Sequence, residues 1–212
     1  MLDLIETVAM ILREEMKGGC IHQQIPIVVF GADSQQQEIF REIEKISKGV
    51  FKVQFRDMNP GLGVDHGPVI YVGDKGNLRW TGMPDGLEVQ PFAQALAMVC
   101  KEEYGVPEKI AEELSSLEKR VRIEVFTTPT CPACPSASML AIQIAAASDG
   151  RVISDIINAM QYIELARKFK IYAVPTVVLS VERPYTGRIF SIGIPSPESL
   201  LKSIFKLGGF SE

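Results

Sequence analysis

The chain has 212 residues, 46% of them hydrophobic, with 22 basic and 26 acidic residues giving a formal charge of −4. That composition describes a globular protein able to bury one large core or two small ones. The basic residues form no block, which excludes the dense positive surface that nucleic-acid binding requires.

The opening MLDLIETVAMILREEMKGG mixes acidic with apolar residues and has no basic leader, long apolar run or small-residue cleavage site. A cytoplasmic location and no membrane partner are therefore expected. Within it, Leu2, Ile5, Val8, Leu12 and Met16 share one helix face, and Gly18-Gly19 ends the helix. IPIVVF at 25–30 reads as a buried strand and SQQQEIFREIEKIS at 34–47 as a helix with Ser34 as its cap. FKVQF at 51–55 alternates as a strand, while VIYV (69–72) and NLRWT (77–81) flank GDKG as a hairpin. A helix over 87–104 stops before Gly105, and Pro107 suits the start of the next one.

From there the order repeats. Ile110, Leu114 and Leu117 mark a helix, VRIEVF (121–126) a strand, 132–148 a helix, RVISDII (151–157) a strand and QYIELARKF (161–169) a helix. Strands near 177–182 and 187–192 and a helix from Pro197 to Leu207 complete the set. VVF at 28–30 aligns with EVF at 124–126, Gly67-Pro68-Val69 with Val174-Pro175-Thr176, and Gly82-Met83-Pro84 with Gly193-Ile194-Pro195. These anchors divide the chain into units 1–105 and 106–212. In the first, DMNPGLGVDHG leaves no room for a counterpart of the 161–169 helix, so a Gly-rich loop is expected.

Four cysteines are too few for a disulfide scaffold, and in a reducing compartment a close pair points to catalysis or metal. Cys131-Pro132-Ala133-Cys134 lies between a buried strand and a helix start, where a thiolate meets unpaired backbone N–H groups and the positive end of the helix dipole. Thiols so placed have pKa values of roughly 3.5 to 7.5, so a useful fraction is nucleophilic at neutral pH. The spacing lets the second sulfur resolve a mixed disulfide formed by the first. Cys131 is expected to attack and Cys134, one turn inside, to resolve.

Strand, TCPAC, helix and then VPT before a further strand resemble the thioredoxin and glutaredoxin family. The tandem arrangement is similar to the two-unit, glutaredoxin-like protein disulfide oxidoreductases. The resemblance implies an α/β fold of two tandem thioredoxin-like units, each a mixed central sheet flanked by helices. It implies catalytic roles for Cys131 and Cys134, substrate positioning by Pro132, Ala133, Val174, Pro175 and Thr176, and a cis bond before Pro175. No metal, flavin or other cofactor is implied on this chain. The implied partners are protein disulfide substrates and a thioredoxin reductase-like flavoenzyme as electron source.

Two departures qualify the resemblance. Gln35-Gln36-Gln37-Glu38 occupies the place of a dithiol in the first unit, which is therefore expected to be redox-inactive. An inert first unit before an active second also looks like the N-terminal domain of alkyl hydroperoxide reductase flavoproteins, which makes a peroxiredoxin a further implied partner. Secondly, thioredoxin has a buried acid six residues before its first active cysteine, where this chain has Val125, and Glu124 points to the opposite face. Glu124 reads as a solvated or paired strand residue.

Other readings compete with exchange. A zinc site needs four ligands, but Cys20, His22, His66 and Cys100 all lie in the first unit. Cys20 and Cys100 read as unpaired buried thiols, with a bond between them as the alternative. Trp80, Tyr172 and Tyr185 read as half-buried packing, Gln35 to Gln37 as a solvated first turn, and Pro68 as an inherited cis position. A dedicated electron-transfer adapter and a redox-independent binding or chaperone module remain as alternative functions.

Overall fold

A computed structural model describes residues 2–15, 19–22 and 24–209, so Met16 and Gly18 lie outside the described residues. The elements in chain order are α1 (Leu2–Glu15), β1 (Ile25–Phe30), α2 (Ser34–Ile46), β2 (Phe51–Arg56), β3 (Val69–Val72), β4 (Leu78–Thr81) and α3 (Val89–Lys101). They continue with α4 (Glu108–Ser115), β5 (Val121–Thr127), α5 (Cys134–Ala146), β6 (Val152–Asn158), α6 (Ile163–Lys168), β7 (Thr176–Val181), β8 (Arg188–Ile192) and α7 (Pro197–Gly208). Short 3-10 turns occur at Pro60–Leu62, inside the Gly-rich loop, and at Gly86–Glu88. Helix α2 is capped by Asp33 rather than Ser34: the Asp33 carboxylate accepts from Gln36 N, and Gln36 Oε1 accepts from Asp33 N, a capping box.

The halves repeat each other in hydrogen bonding. β1 lies between parallel β2 and antiparallel β3, as β5 lies between parallel β6 and antiparallel β7. Phe30 stands opposite Val69 and Phe126 opposite Thr176. The Gly67-Pro68 and Val174-Pro175 bonds are both cis. Pro68 O accepts from Gly82 N at 2.9 Å and Pro175 O from Gly193 N at 2.8 Å, with φ +104 and +90 at the two glycines. Such φ values favour glycine.

The halves also share one sheet. Parallel pairing of Leu78–Thr81 with Ser154–Ile157 joins them into eight strands in the order β2-β1-β3-β4-β6-β5-β7-β8. On one face a single apolar cluster takes in α1, α2, α3, α5 and α7, with Trp80, Phe92, Val125 and Ile142 at its centre. On the other face α6 covers the second half over Phe126 and Ile157, whereas in the first half the 57–68 loop lies over Phe30 and Val69.

Charged side chains occupy the joint. Arg79 is 1% exposed and Asp155 0%, and their Nε–Oδ2 distance is 3.0 Å. Arg79 also donates to Leu62 O (2.8 Å) and Tyr185 Oη (2.6 Å), while Thr81 Oγ1 and Tyr185 Oη donate to Asp155 at 2.8 and 3.0 Å. Burial works against the Arg79 charge, but Asp155, Tyr185, Tyr71 and Glu124 together raise its pKa. Glu124, expected to be solvated or paired, is fully buried. Its Oε1 accepts from Tyr185 N and lies 3.5 Å from Arg122 Nε, and burial pushes its carboxyl up to about 7.

Cys20 and Cys100, read from sequence as unpaired, are bonded, with Cα atoms 4.8 Å apart. The bridge ties the entry to β1 to the last turn of α3, reinforced by Ile21 N donating to Cys100 O. The chain crosses itself here at a sequence separation of 80, too long a reach for local pattern to reveal.

Cys20→Ser is expected to lower stability by about 2–4 kcal/mol, because the bridge no longer restrains the unfolded chain; urea unfolding without reductant measures this. Asp155→Leu leaves the Arg79 guanidinium buried without its carboxylate and is expected to cost about 3–5 kcal/mol, read as a fall in the urea midpoint.

Candidate active site

Strand β5 ends at Thr127 and the chain turns through Thr128-Pro129-Thr130, with Cys131 N donating to Thr128 O at 3.2 Å and Cys134 N to Cys131 O at 3.3 Å. Helix α5 begins at Cys134, two residues later than the sequence pattern placed it, so Pro132 and Ala133 form the turn between the sulfurs. Ala133 occupies the N-cap and provides no side-chain hydrogen bond. The first turn of α5 thus starts without a side-chain cap: Cys134 N donates to Cys131 O, and Pro135, the next residue, has no N–H to satisfy. The two cysteines form a disulfide with Cα atoms 5.4 Å apart. Cys131 is 7% exposed and Cys134 0%, while Thr130 and Pro132 stand in solvent.

The pairing of Phe126 with Thr176 and of Thr127 with Asn158 brings residues 174–176 and 158–160 to the same end of the sheet as the dithiol turn. Pro175 is buried, Val174 is half-buried, and Thr176 Oγ1 donates to Ala173 O at 2.7 Å. The other singled-out residues scatter. Trp80 and Tyr185 are in the core, and Tyr172 is 91% exposed. Gln36 and Gln37 hold the start of α2, Gln37 through Ala32 O and Arg41. A large cavity, about 910 Å³, lies between residues 58–66 and α6, and neither Cys131 nor Cys134 lines it. Among the described residues no group of three or more His, Cys, Asp or Glu is arranged to hold a metal ion.

The first half supplies part of the site. Its Asp85–Glu88 segment lies against the dithiol turn: Leu87 N donates to Pro129 O at 2.8 Å. A Cβ at Gly86 would come within 2.3 Å of that same oxygen, and φ is +54 there, so only glycine allows the approach. Next in sequence, Glu88 is 4% exposed and its Oε2 accepts from Ser138 Oγ at 2.7 Å. Ser138 lies one turn beyond Cys134 on α5, and burial pushes the Glu88 carboxyl up to about 7. A cavity of about 10 Å³ lined by Glu88, Trp80, Thr127, Pro129 and Asn158 connects the two elements. Sequence reasoning missed Glu88. It lies in a 3-10 turn with no motif, 43 residues from Cys131, and its one signal was a lone acid among apolar residues.

Comparison with known proteins accounts for the second half first. Residues 121–205 match the family described as Thioredoxin domain. A thioredoxin of Methanocaldococcus jannaschii is 36% identical over 87 residues, which is 41% of this chain and 95% of the relative. The chain belongs to the thioredoxin family. A probable thioredoxin of Archaeoglobus fulgidus is 30% identical over 92 residues, covering 43% of this chain and 94% of its own length.

Among solved structures, a protein disulfide oxidoreductase from Aeropyrum pernix superposes over 98% of this chain and 93% of its own, with a TM-score of 0.78 at 21% identity. The alkylhydroperoxide reductase protein AhpF of Enterococcus faecalis does so over 96% and 98%, with a TM-score of 0.74 at 16% identity. These likenesses show that the tandem thioredoxin fold extends over the whole chain. Thioredoxin-family membership and the CxxC at 131–134 support disulfide oxidoreductase chemistry. Among the described residues no helix is long and apolar enough to cross a membrane.

Because the folded state raises the Glu88 carboxyl from 4.5 to about 7, the folded chain holds that proton more tightly than the unfolded one. The associated stability is whole below pH 4.5 and is lost as pH rises through about 7. Glu88→Gln keeps the acceptor for Ser138 but does not titrate. Its stability relative to wild type is expected to rise across that window, as read by urea unfolding at a series of pH values.

Proposed function

We propose that this protein exchanges disulfides with protein substrates through Cys131 and Cys134, in a unit spanning 106–212, and that the unit spanning 1–105 is redox-inactive and supports the site. The observation that carries this reading is the Cys131–Cys134 pair, bonded at the uncapped start of α5.

In the reducing direction, the Cys131 thiolate attacks one sulfur of a substrate disulfide. The substrate S–S bond breaks, a Cys131–substrate bond forms, and the first substrate thiolate leaves and takes a proton. Cys134 then gives up its proton and attacks the Cys131 sulfur, which re-forms the disulfide seen here and releases the second substrate thiol. The substrate gains two electrons and two protons, and the enzyme dithiol loses them.

The start of α5 favours the Cys131 thiolate. Glu88, hydrogen-bonded to Ser138 one turn along α5 from Cys134 and pushed up to about 7 by burial, is a buried group suited to take up a proton near neutral pH. It offers a buried acid on the first half where the central strand of this chain has Val125. Pro132, Ala133 and the Val174-Pro175-Thr176 segment flank the sulfurs and position the substrate backbone. A thioredoxin reductase-like flavoenzyme would return the dithiol form, and a peroxiredoxin is the narrower substrate if the chain is an adapter. The cytoplasm is the compartment in which this cycle fits.

A redox titration with mass-spectrometric mapping of the cysteine pairs tests the reading. Reversible formation of the Cys131–Cys134 bond is expected, with insulin reduction lost at least a thousandfold in Cys131→Ser. Thiols that stay inert, or insulin reduction that survives in the variant, would show that the dithiol is not the working site.

A further inference from the structure

On the far side of the Met83–Asp85 segment from the dithiol turn lies a recess of about 330 Å³. Its buried floor is Leu4, Ile39, Pro84 and Val89, from α1, α2 and the approach to α3. Its rim carries two exposed carboxylates, Asp33 and Asp85. Each uses one oxygen to accept a backbone N–H, from Gln36 and from Gly86, both at 2.8 Å. Neither makes an ion pair with a cation among the described residues.

An apolar floor under two negative charges matches the make-up of one kind of side chain: a long hydrocarbon stem ending in a cation. The recess is also continuous with the site. Met83, Pro84 and Asp85 line it on one side and line the small cavity with Pro129 and Thr127 on the other. Asp85, Gly86 and Leu87, which follow Pro84 of the recess and lead to the Leu87–Pro129 bond beside the dithiol turn, are all exposed.

We infer that this recess is a docking site for an arginine or lysine of the protein substrate, a few residues from its reacting cysteine, held by Asp33 and Asp85 above the Leu4–Ile39 floor. The inference deepens the exchange reading and depends on it for the identity of the occupant. It gives the half that lacks a CxxC a part in substrate choice. The two carboxylates of the rim favour basic segments and disfavour acidic ones.

The recess itself is tested without any disulfide. Isotope-labelled protein is titrated with acetyl-Leu-Arg-amide and with acetyl-Leu-citrulline-amide, which differ in charge and hardly in shape, and amide shifts are followed by NMR. Saturable shifts are expected at Asp33, Gln36, Asp85 and Val89, with affinity at least threefold greater for the arginine peptide. That preference is expected to fall to near one in Asp33→Asn/Asp85→Asn, in which asparagine keeps both caps. Equal binding of the two peptides, absence of shifts there, or a preference that survives in the double variant would each overturn the inference.

Its use in exchange is tested with cystine peptides bearing arginine or citrulline at positions two to eight from the half-cystine. One register is expected to show a KM at least threefold lower for arginine, and a KM independent of charge at every register would overturn the docking role. If neither these peptides nor bis(2-hydroxyethyl) disulfide is reduced while the arginine shifts persist, the exchange reading falls and the recess stands as a cationic side-chain site.

Discussion

The Arg79–Asp155 pair is the interaction on which the arrangement of this molecule turns. A guanidinium and a carboxylate removed from water are costly, and the cost is met only by good geometry and full hydrogen bonding. Here Thr81, Tyr185 and Leu62 O complete the set around them. The pair spans neighbouring strands of different halves, Arg79 standing opposite Asp155 in the β4–β6 register. A slip of either strand by one residue would turn its charge into the apolar cluster on the other face and away from its partner. The pair thereby fixes how far residues 83–88 project past the end of β6, and so where Leu87 meets Pro129 and Glu88 meets Ser138.

The dithiol site is composite as a result. The second half carries the sulfurs, the helix start and the cis proline. The first half contributes the wall beside the turn and the buried carboxyl beneath it. The absence of a CxxC at 35–38 does not remove the first half from the site, because Gly86 and Glu88 lie between its own strand β4 and helix α3. The symmetry of the backbone is preserved, while the CxxC stands in one half alone.

Much of this was legible in the sequence. The three anchor segments gave the repeat, and the structure shows why they stand out: each holds a position that geometry restricts, a buried strand end, a cis proline or a positive-φ glycine. TCPAC before a helix identified the sulfurs, and DMNPGLGVDHG identified the missing helix of the first half. What escaped was non-local. Arg79 in NLRWT and Asp155 in RVISDII look like ordinary solvent-facing charges until β4 and β6 are paired, and of the two readings of Glu124, solvated or paired, the structure shows the second, with Arg122. Cys20 and Cys100 meet only because α3 runs back beside α1. Asp33 takes the cap in place of Ser34 because Gln36, rather than a residue three beyond Ser34, closes the capping box.

The shared sheet also has a consequence for how the chain comes together. Synthesis delivers the first half before the second, and until residues 154–157 arrive the edge of β4 is unoccupied. An open edge with Trp80 beside it invites pairing with the wrong strand, and a charge embedded in such an edge is a recognised deterrent. Arg79 is that charge. A foreign strand that docked there would have to bury a guanidinium without a partner, whereas β6 brings Asp155 to meet it. The feature that costs most in the finished molecule thus selects the correct neighbour while the molecule is still incomplete.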